Sequence, residues 1–146
     1  MAEINELKHN HMDTVSPIKR SQIMSNVRSN RNKSTEWKLR SALVRFGVRG
    51  WKVTPIKVKG SPDFVFSNNR LLIFVDGCFW HGCPKCYRRP KSNRLYWDSK
   101  VIGNRSRDRR VSRQLRKAGW HVIRFWEHDL KWPQRCVTKI TDALKH

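Results

Sequence analysis

Asp63 and Asp76 bracket two short apolar runs, Phe64-Val65-Phe66 and Leu71-Leu72-Ile73-Phe74-Val75, separated by Ser67-Asn68-Asn69-Arg70. Apolar runs flanking a turn-forming tetrad predict a β-hairpin over residues 62–76 with a four-residue loop. With Phe66 opposite Leu71, paired residue numbers sum to 137. Asp63 then faces Phe74, and Asp76, two residues further along, lies on the same face because strand side chains alternate. Diagonal neighbours sit about 7–8 Å apart, close enough for two carboxylates to converge on one ion. Like charges so placed repel unless a cation lies between them. The geometry therefore favours a metal over local salt bridges, and hard oxygen ligands favour Mg²⁺. His81 follows five residues after Asp76. Two readings stay open for it: a structural histidine, or a general acid or base beside the metal.

The cysteines form a second constellation. Cys78, Cys83 and Cys86 fall within nine residues as Cys78-x4-Cys83-x2-Cys86, and Cys136 stands apart. Clustered thiols of a reducing compartment point to zinc rather than to disulfides. A structural site needs four ligands, and the fourth is either His128 or Cys136. Zinc would pin an irregular segment to the fold and add stability that a small core lacks.

Charge sets the context for both sites. The 146 residues carry 32 Lys and Arg against 11 Asp and Glu, a net charge of +21 that favours a polyanionic partner. Seven Trp and six Phe make the chain too apolar for a disordered basic tail. Between Thr14 and Trp97 there are 18 Lys and Arg but only three acids, Glu36, Asp63 and Asp76. A phosphate-binding surface disfavours carboxylates, so these three call for a reason: either local salt bridges or a divalent cation whose charge cancels the repulsion. No apolar run approaches the roughly 18 residues of a membrane span, and the polar, mildly acidic start is not a secretory signal. The expected class is a soluble, cytoplasmic nucleic-acid-binding domain.

The elements that must position these residues follow from periodicity. Residues 1–16 read as a flexible leader and 17–146 as a single domain. Arg20–Arg28 predicts a short basic helix, followed by a turn-rich stretch at residues 26–33. Ser34 reads as the N-cap of the next helix, with Leu39, Ala42, Leu43 and Phe46 on its apolar stripe and Gly47 as its stop. Glu36 falls in the first turn of that helix, where the dipole alone would explain a carboxylate. Trp51–Ile56 predicts a strand, residues 77–95 an irregular segment, and Trp97–Ala118 a long basic helix. Trp120–Phe125 predicts a strand and Pro133–Leu144 a final helix. Such an order predicts an α/β fold with a mixed sheet covered by helices. Trp51, Trp120 and Trp126 are expected in the core. The face from Arg109-Arg110 to Lys117 is expected to track phosphates.

The string Phe74-Val75-Asp76-Gly77-Cys78-Phe79-Trp80-His81-Gly82-Cys83 resembles the signature of the very-short-patch-repair (Vsr) endonucleases, a branch of the PD-(D/E)xK nucleases. Arg20-Ser21 with Met24, Glu36, and Ser61-Pro62-Asp63-Phe64-Val65 extend the similarity. So do Trp97, Lys100, Ile102, Asn104, Arg107-Asp108, Gly119-Trp120-His121-Val122 and Trp126-Glu127, so that it covers residues 17–135. The resemblance implies a restriction-endonuclease-like fold and a Mg²⁺-dependent nick in one strand of duplex DNA beside a T:G mismatch. Such mismatches arise from deaminated 5-methylcytosine, which implies a functional link to a cytosine-5 DNA methyltransferase. It further implies that Asp63 binds the metal directly and Val75 through its main-chain carbonyl. Asp76 stands where some members carry His. His81 would act on the attacking water or the leaving group, and Glu36 would steady that water. Phe79 and Trp80 match aromatics that wedge between bases, with Met24 entering from the other groove. Arg20, Lys100, Asn104 and Arg107 would line the DNA. For zinc, Cys78 and Cys83 match family ligands, Cys86 is displaced by about one residue, and the ligand after Trp-Glu falls on His128. The protein is expected to act as a monomer. The competing expectations are a related restriction or homing endonuclease that cuts paired DNA, and a catalytically silent zinc-containing DNA-binding module.

Overall fold

The computed structural model describes residues 16–53 and 58–146. The first helix, α1, spans Pro17–Arg45, with the Ser16 hydroxyl accepting from the Lys19 N–H at its start. One continuous helix thus replaces the short helix, turn and second helix expected from the sequence. Residues 26–33 are polar but contain no Gly or Pro, so nothing in them ends a helix that Ser16 and Pro17 have started. Ser34 lies inside the helix. Arg45 ends it, and the chain turns through Gly47 at φ +70.

Four strands form one sheet in the order β1 (Lys52–Val53), β2 (Phe64–Phe66), β3 (Leu71–Asp76), β4 (His121–Trp126). The β2–β3 hairpin has the expected register, Phe64 opposite Ile73 and Phe66 opposite Leu71. The Asp63 N–H carries the ladder one step further by donating to the Ile73 carbonyl. Strand β4 runs parallel to β3, with Phe74 opposite Arg124 and Asp76 opposite Trp126. The crossover between them contains α2 (Arg94–Lys117). Of the strand expected at 51–56, Lys52–Val53 is strand, Trp51 precedes it, and residues 54–56 lie outside the described residues. A short 3-10 turn, Glu127–Lys131, and α3 (Pro133–Leu144) complete the chain.

The sheet is apolar on both faces. Leu39 and Leu43 of α1 pack with Ile73, Val75 and Phe125 and with Val137 and Ile140 of α3. On the other face Val65, Leu72, Phe74 and Val122 pack against Val111 and Leu115 of α2. Trp51 and Trp120, expected in the core, are only half-buried at its margins. Helix α2 approaches the loop before β2 so closely that a Cβ on Gly60 would lie 2.5 Å from Val111 Cγ1. Among the described residues no helix is long and apolar enough to cross a membrane.

Candidate active site and metal centre

The α2-facing side of the sheet ends in a cluster of ionisable groups. Alternation along β3 puts Phe74 and Asp76 on this face, and the parallel register adds Arg124 from β4. Asp63 enters from the start of β2, where its Oδ2 accepts the Val75 N–H at 2.7 Å. Asp63, Val75, Asp76, His81, Arg107, Asp108 and Arg124 line one cavity of about 320 Å³. The hairpin thus brings Asp63 and Asp76 together around one space, where the sequence placed them.

Two members of the cluster come from elements the hairpin argument could not reach. The Asp108 carboxylate on α2 is hydrogen-bonded to His81 Nδ1, and His81 Nδ1 lies 4.0 Å from Asp76 Oδ1. Arg124 Nη1 donates to both oxygens of Asp76, at 2.8 and 3.0 Å. Asp76 therefore takes part in the salt bridge that the sequence argument had set aside, because β4 supplies a cation the hairpin alone does not contain. Asp76, His81 and Asp108 each offer a ligand atom within 4.8 Å of the others. One signal for Arg124 was present in the sequence: a single charge within the apolar run Val122-Ile123-Arg124-Phe125.

Burial sets the electrostatics. It pushes the Asp63 carboxyl up to about 6, against the Val75 hydrogen bond, and the charges of Asp76 and Glu36 push the same way. Glu36 thus feels this site from α1. Burial also raises Asp76, with Arg124 and His81 offsetting part of the effect. For Asp108 burial is outweighed by the hydrogen bond and charge of His81, with help from Arg124 and Arg107, and its carboxyl is held below the ordinary value. The Asp108 carboxylate thus holds the His81 ring through Nδ1.

The second centre lies beside the first. Cys78, Cys83 and Cys86 place their Sγ atoms 3.3, 3.6 and 3.3 Å from His128 Nδ1. Four ligands around a tetrahedral zinc would stand about 3.5 Å apart, given Zn–S and Zn–N bonds of about 2.3 and 2.0 Å. The donor set can hold a metal. Burial and the neighbouring sulfurs push the Cys78 thiol up to about 12, so a thiolate there needs a cation. His128 Nε2 faces Asp129 Oδ1 at 3.4 Å, an outer partner of the kind that orients a ligating histidine. Cys136, the alternative fourth ligand, is buried elsewhere with its thiol toward the Asp129 carbonyl.

The residues expected on DNA divide into groups. Lys100 and Arg107 are exposed on α2, and Arg107 borders the acidic cavity. Asn104 is buried instead, donating to the Trp80 carbonyl at 2.8 Å and accepting from Arg107 at 3.1 Å. Phe79 and Trp80 pack with Tyr87 and Trp97, with centroid distances of 5.2–5.9 Å. Trp80 is buried, and its Nε1 finds no partner among the described residues. The side chains of Arg20 and Met24 lie outside the described residues. A larger cavity of about 780 Å³ adjoins the site, lined by Asp76, His81, Asp108 and Arg124 together with Arg105, Arg109, Arg113, Arg116 and Lys117.

Comparison with known proteins accords with this chemistry. Residues 12–88 match the family model described as DNA mismatch endonuclease Vsr. The chain is 42% identical to the type II nicking enzyme V.NaeI of Lentzea aerocolonigenes over 127 residues, 83% of this chain and 75% of that one. It is 40% identical to the type II nicking enzyme V.XorIIP of Xanthomonas oryzae pv. oryzae over 81% of this chain and 86% of that one. It is 34% identical to the DNA mismatch endonuclease Vsr of Escherichia coli K12 over 79% of this chain and 74% of that one. With acids, a histidine and a cationic cavity converging at the end of its sheet, the chain belongs to the Vsr family of DNA endonucleases.

Proposed function

We propose that this endonuclease nicks one strand of duplex DNA beside a T:G mismatch, using Mg²⁺ for catalysis and zinc for structure, on a restriction-endonuclease-like fold. The observation that carries the reading is the convergence of Asp63, Asp76, His81 and Asp108 on a cavity continuous with a row of α2 cations. Asp63 and the main-chain carbonyl of Val75 are the groups to hold Mg²⁺. A buried carboxylate whose neighbours include two further acids is one that a divalent cation would stabilise. When bound, that ion supplies Lewis-acid stabilisation of the charge that develops on the scissile phosphate.

The chain's own groups supply the rest. Asp108 orients the His81 ring, and Nε2 accepts a proton from the attacking water. Glu36 adds negative charge that holds the water's protons toward the protein. Attack in line with the leaving oxygen yields a 5′-phosphate and a 3′-hydroxyl. Arg109, Arg113 and Lys117 hold the flanking backbone. Zinc at Cys78, Cys83, Cys86 and His128 fixes the segment that carries Phe79, Trp80 and His81. Inserting Phe79 and Trp80 between bases requires them to leave Trp97, and a mismatch lowers the unstacking cost on the DNA side. Residues 17–146 act as one nuclease domain and as a monomer, since one nick needs one site. A cytosine-5 DNA methyltransferase is the enzyme whose product, once deaminated, creates the substrate.

A strand-resolved assay tests the proposal on a T:G duplex and its fully paired twin. The expected result is one nick, in the T strand of the mismatched duplex only, lost in EDTA. Equal cutting of the paired duplex would leave a nuclease without mismatch specificity, and cutting of neither would leave a DNA-binding module.

A further inference from the structure

A second group of cations gathers at the same end of the sheet as the acids. Lys85, Lys131, Arg135 and Lys139, all exposed, line a cavity of about 510 Å³ between the 3-10 turn and α3. Phe125 forms part of its wall, with Lys139 Nζ 5.8 Å from the ring centroid. Phe125 packs with α1 and α3, whereas its neighbour Arg124 faces α2 and the acids. Strand alternation therefore builds this cavity and the acidic one on opposite faces of the sheet. Cys86 and His128 also line it, so the Cys₃His cluster borders it.

Little in the fold neutralises these charges. None of the four forms a salt bridge among the described residues. The acid at the cavity, Asp129, is already engaged: Oδ2 accepts the Trp126 N–H at 2.8 Å, and Oδ1 faces His128. Asp142 on α3 pairs with Lys145. The exposed Trp132 ring props Arg135, whose guanidinium carbon lies 5.5 Å from its centroid. Like charges gathered around one cavity repel one another unless a polyanion covers them. Duplex DNA is the polyanion on which this family acts. The α2 cations lead to the acidic cavity from one face of the sheet, and these lie beyond it on the other. We propose that Lys85, Lys131, Arg135 and Lys139 form a second duplex-binding surface, which holds the DNA arm on the far side of the cut from the arm held by α2. The inference rests on the cut being made at the acidic cavity, as proposed above, and not on the preference for a mismatch.

Fluorescence anisotropy of the full-length protein on fully paired duplexes, from 50 to 300 mM salt, tests it. Each phosphate contact contributes about 0.9 to the slope of log affinity against log salt. Lys131→Gln, Arg135→Gln and Lys139→Gln should therefore flatten the slope by about 2–3 together and by about 1 each. Trimming either arm of the duplex should weaken binding by the wild type. In the triple variant, trimming one arm should lose its effect. In a variant with Gln at Arg109, Arg113 and Lys117, trimming the other arm should lose its effect. An unchanged slope in the triple variant would overturn the surface. A flattened slope with both arms still sensitive would do the same, because it would report a general loss of charge rather than a contact. Loss of the same arm in both variants would overturn the two-sided arrangement. Should the triple variant fail to fold, Lys131→Gln at the exposed end of the 3-10 turn carries the same test with a change of about 1. Undiminished nicking by Asp63→Asn would instead overturn the placement of the cut, whatever the slopes show.

Discussion

Asp63 is held in a condition that suits metal binding better than stability. Its carboxyl is pushed up to about 6 by burial and by the charges of Asp76 and Glu36. Because the folded value exceeds the ordinary 3.8, the folded state binds this proton more tightly than the unfolded chain does. Its effect on stability is therefore unfavourable above about pH 6 and fades as pH falls toward 4. Asp63→Asn should raise the melting temperature of the protein in EDTA at pH 8, and the gain should shrink at pH 4.5. The same substitution should lower cleavage by about a thousandfold, because lost transition-state stabilisation of several kcal/mol corresponds to that factor. In the wild type, cleavage should rise with pH through about 6 as the carboxylate becomes available to Mg²⁺. A flat profile from pH 5 to 8 would show that ionisation of Asp63 is not required. This residue was legible in the sequence because one hairpin fixes it against Asp76. Asp108 and Arg124 were not, since they meet His81 and Asp76 across 27 and 48 residues of chain, on elements whose packing no local pattern reveals.

At the scale of elements, the decisive segment is the one without regular structure. Between β3 and α2 the chain is held by side chains that reach it from elsewhere. Arg105 donates to the Gly82 carbonyl at 2.7 Å, and Asn104 to the Trp80 carbonyl. Gly82 sits at φ +61, and a Cβ there would lie 2.5 Å from Val101 Cγ1, so α2 packs directly on the loop. The Cys₃His cluster ties the same loop to the 3-10 turn after β4. Cys83→Ser should release the metal and lower the melting temperature. A loss of about 3 kcal/mol would be about 6–12 °C for a domain of this size. Cleavage should fall with it although no cysteine touches the acidic cluster, because His81 rides on the same loop. Metal analysis, thermal melts and nicking assays on one preparation check this. Asn104→Ala leaves the buried Trp80 carbonyl without its donor and should cost about 1–3 kcal/mol. It should also narrow the preference for the T:G duplex over its paired twin. The sequence located this segment and three members of the Cys₃His cluster from cysteine spacing alone. It left the fourth open because His128 and Cys136 are both near in sequence, and only the 3-10 turn separates them in space. The continuity of α1 was hidden for another reason: polar residues at 26–33 resemble a turn, but a long helix with one buried stripe tolerates them.

For the whole molecule, a net charge of +21 would oppose compaction were it spread evenly, yet the cations that matter are concentrated. Arg105, Arg109, Arg113 and Lys117 recur every four residues along α2, so they form one stripe beside the larger cavity. The acids lie at the end of that stripe, with Asp76 bridged to Arg124, Asp108 bonded to His81, and Asp63 bonded to the Val75 N–H. A phosphate backbone drawn along α2 would therefore arrive at the acidic cavity without meeting an unpaired carboxylate on the way. Under the proposed function the stripe and the aromatic cluster would do separable things, one holding any duplex and the other choosing among duplexes. Each phosphate contact contributes about 0.9 to the slope of log affinity against log salt. Replacing Arg109, Arg113 and Lys117 with Gln should flatten that slope by about 2–3. The ratio of T:G to paired-duplex affinity at fixed salt should stay the same. Phe79→Ala should do the reverse, leaving the slope and lowering the ratio. Fluorescence anisotropy on both duplexes from 50 to 300 mM salt separates the two, and a triple variant that lost discrimination along with slope would mean that α2 reads the mismatch rather than merely carrying the DNA.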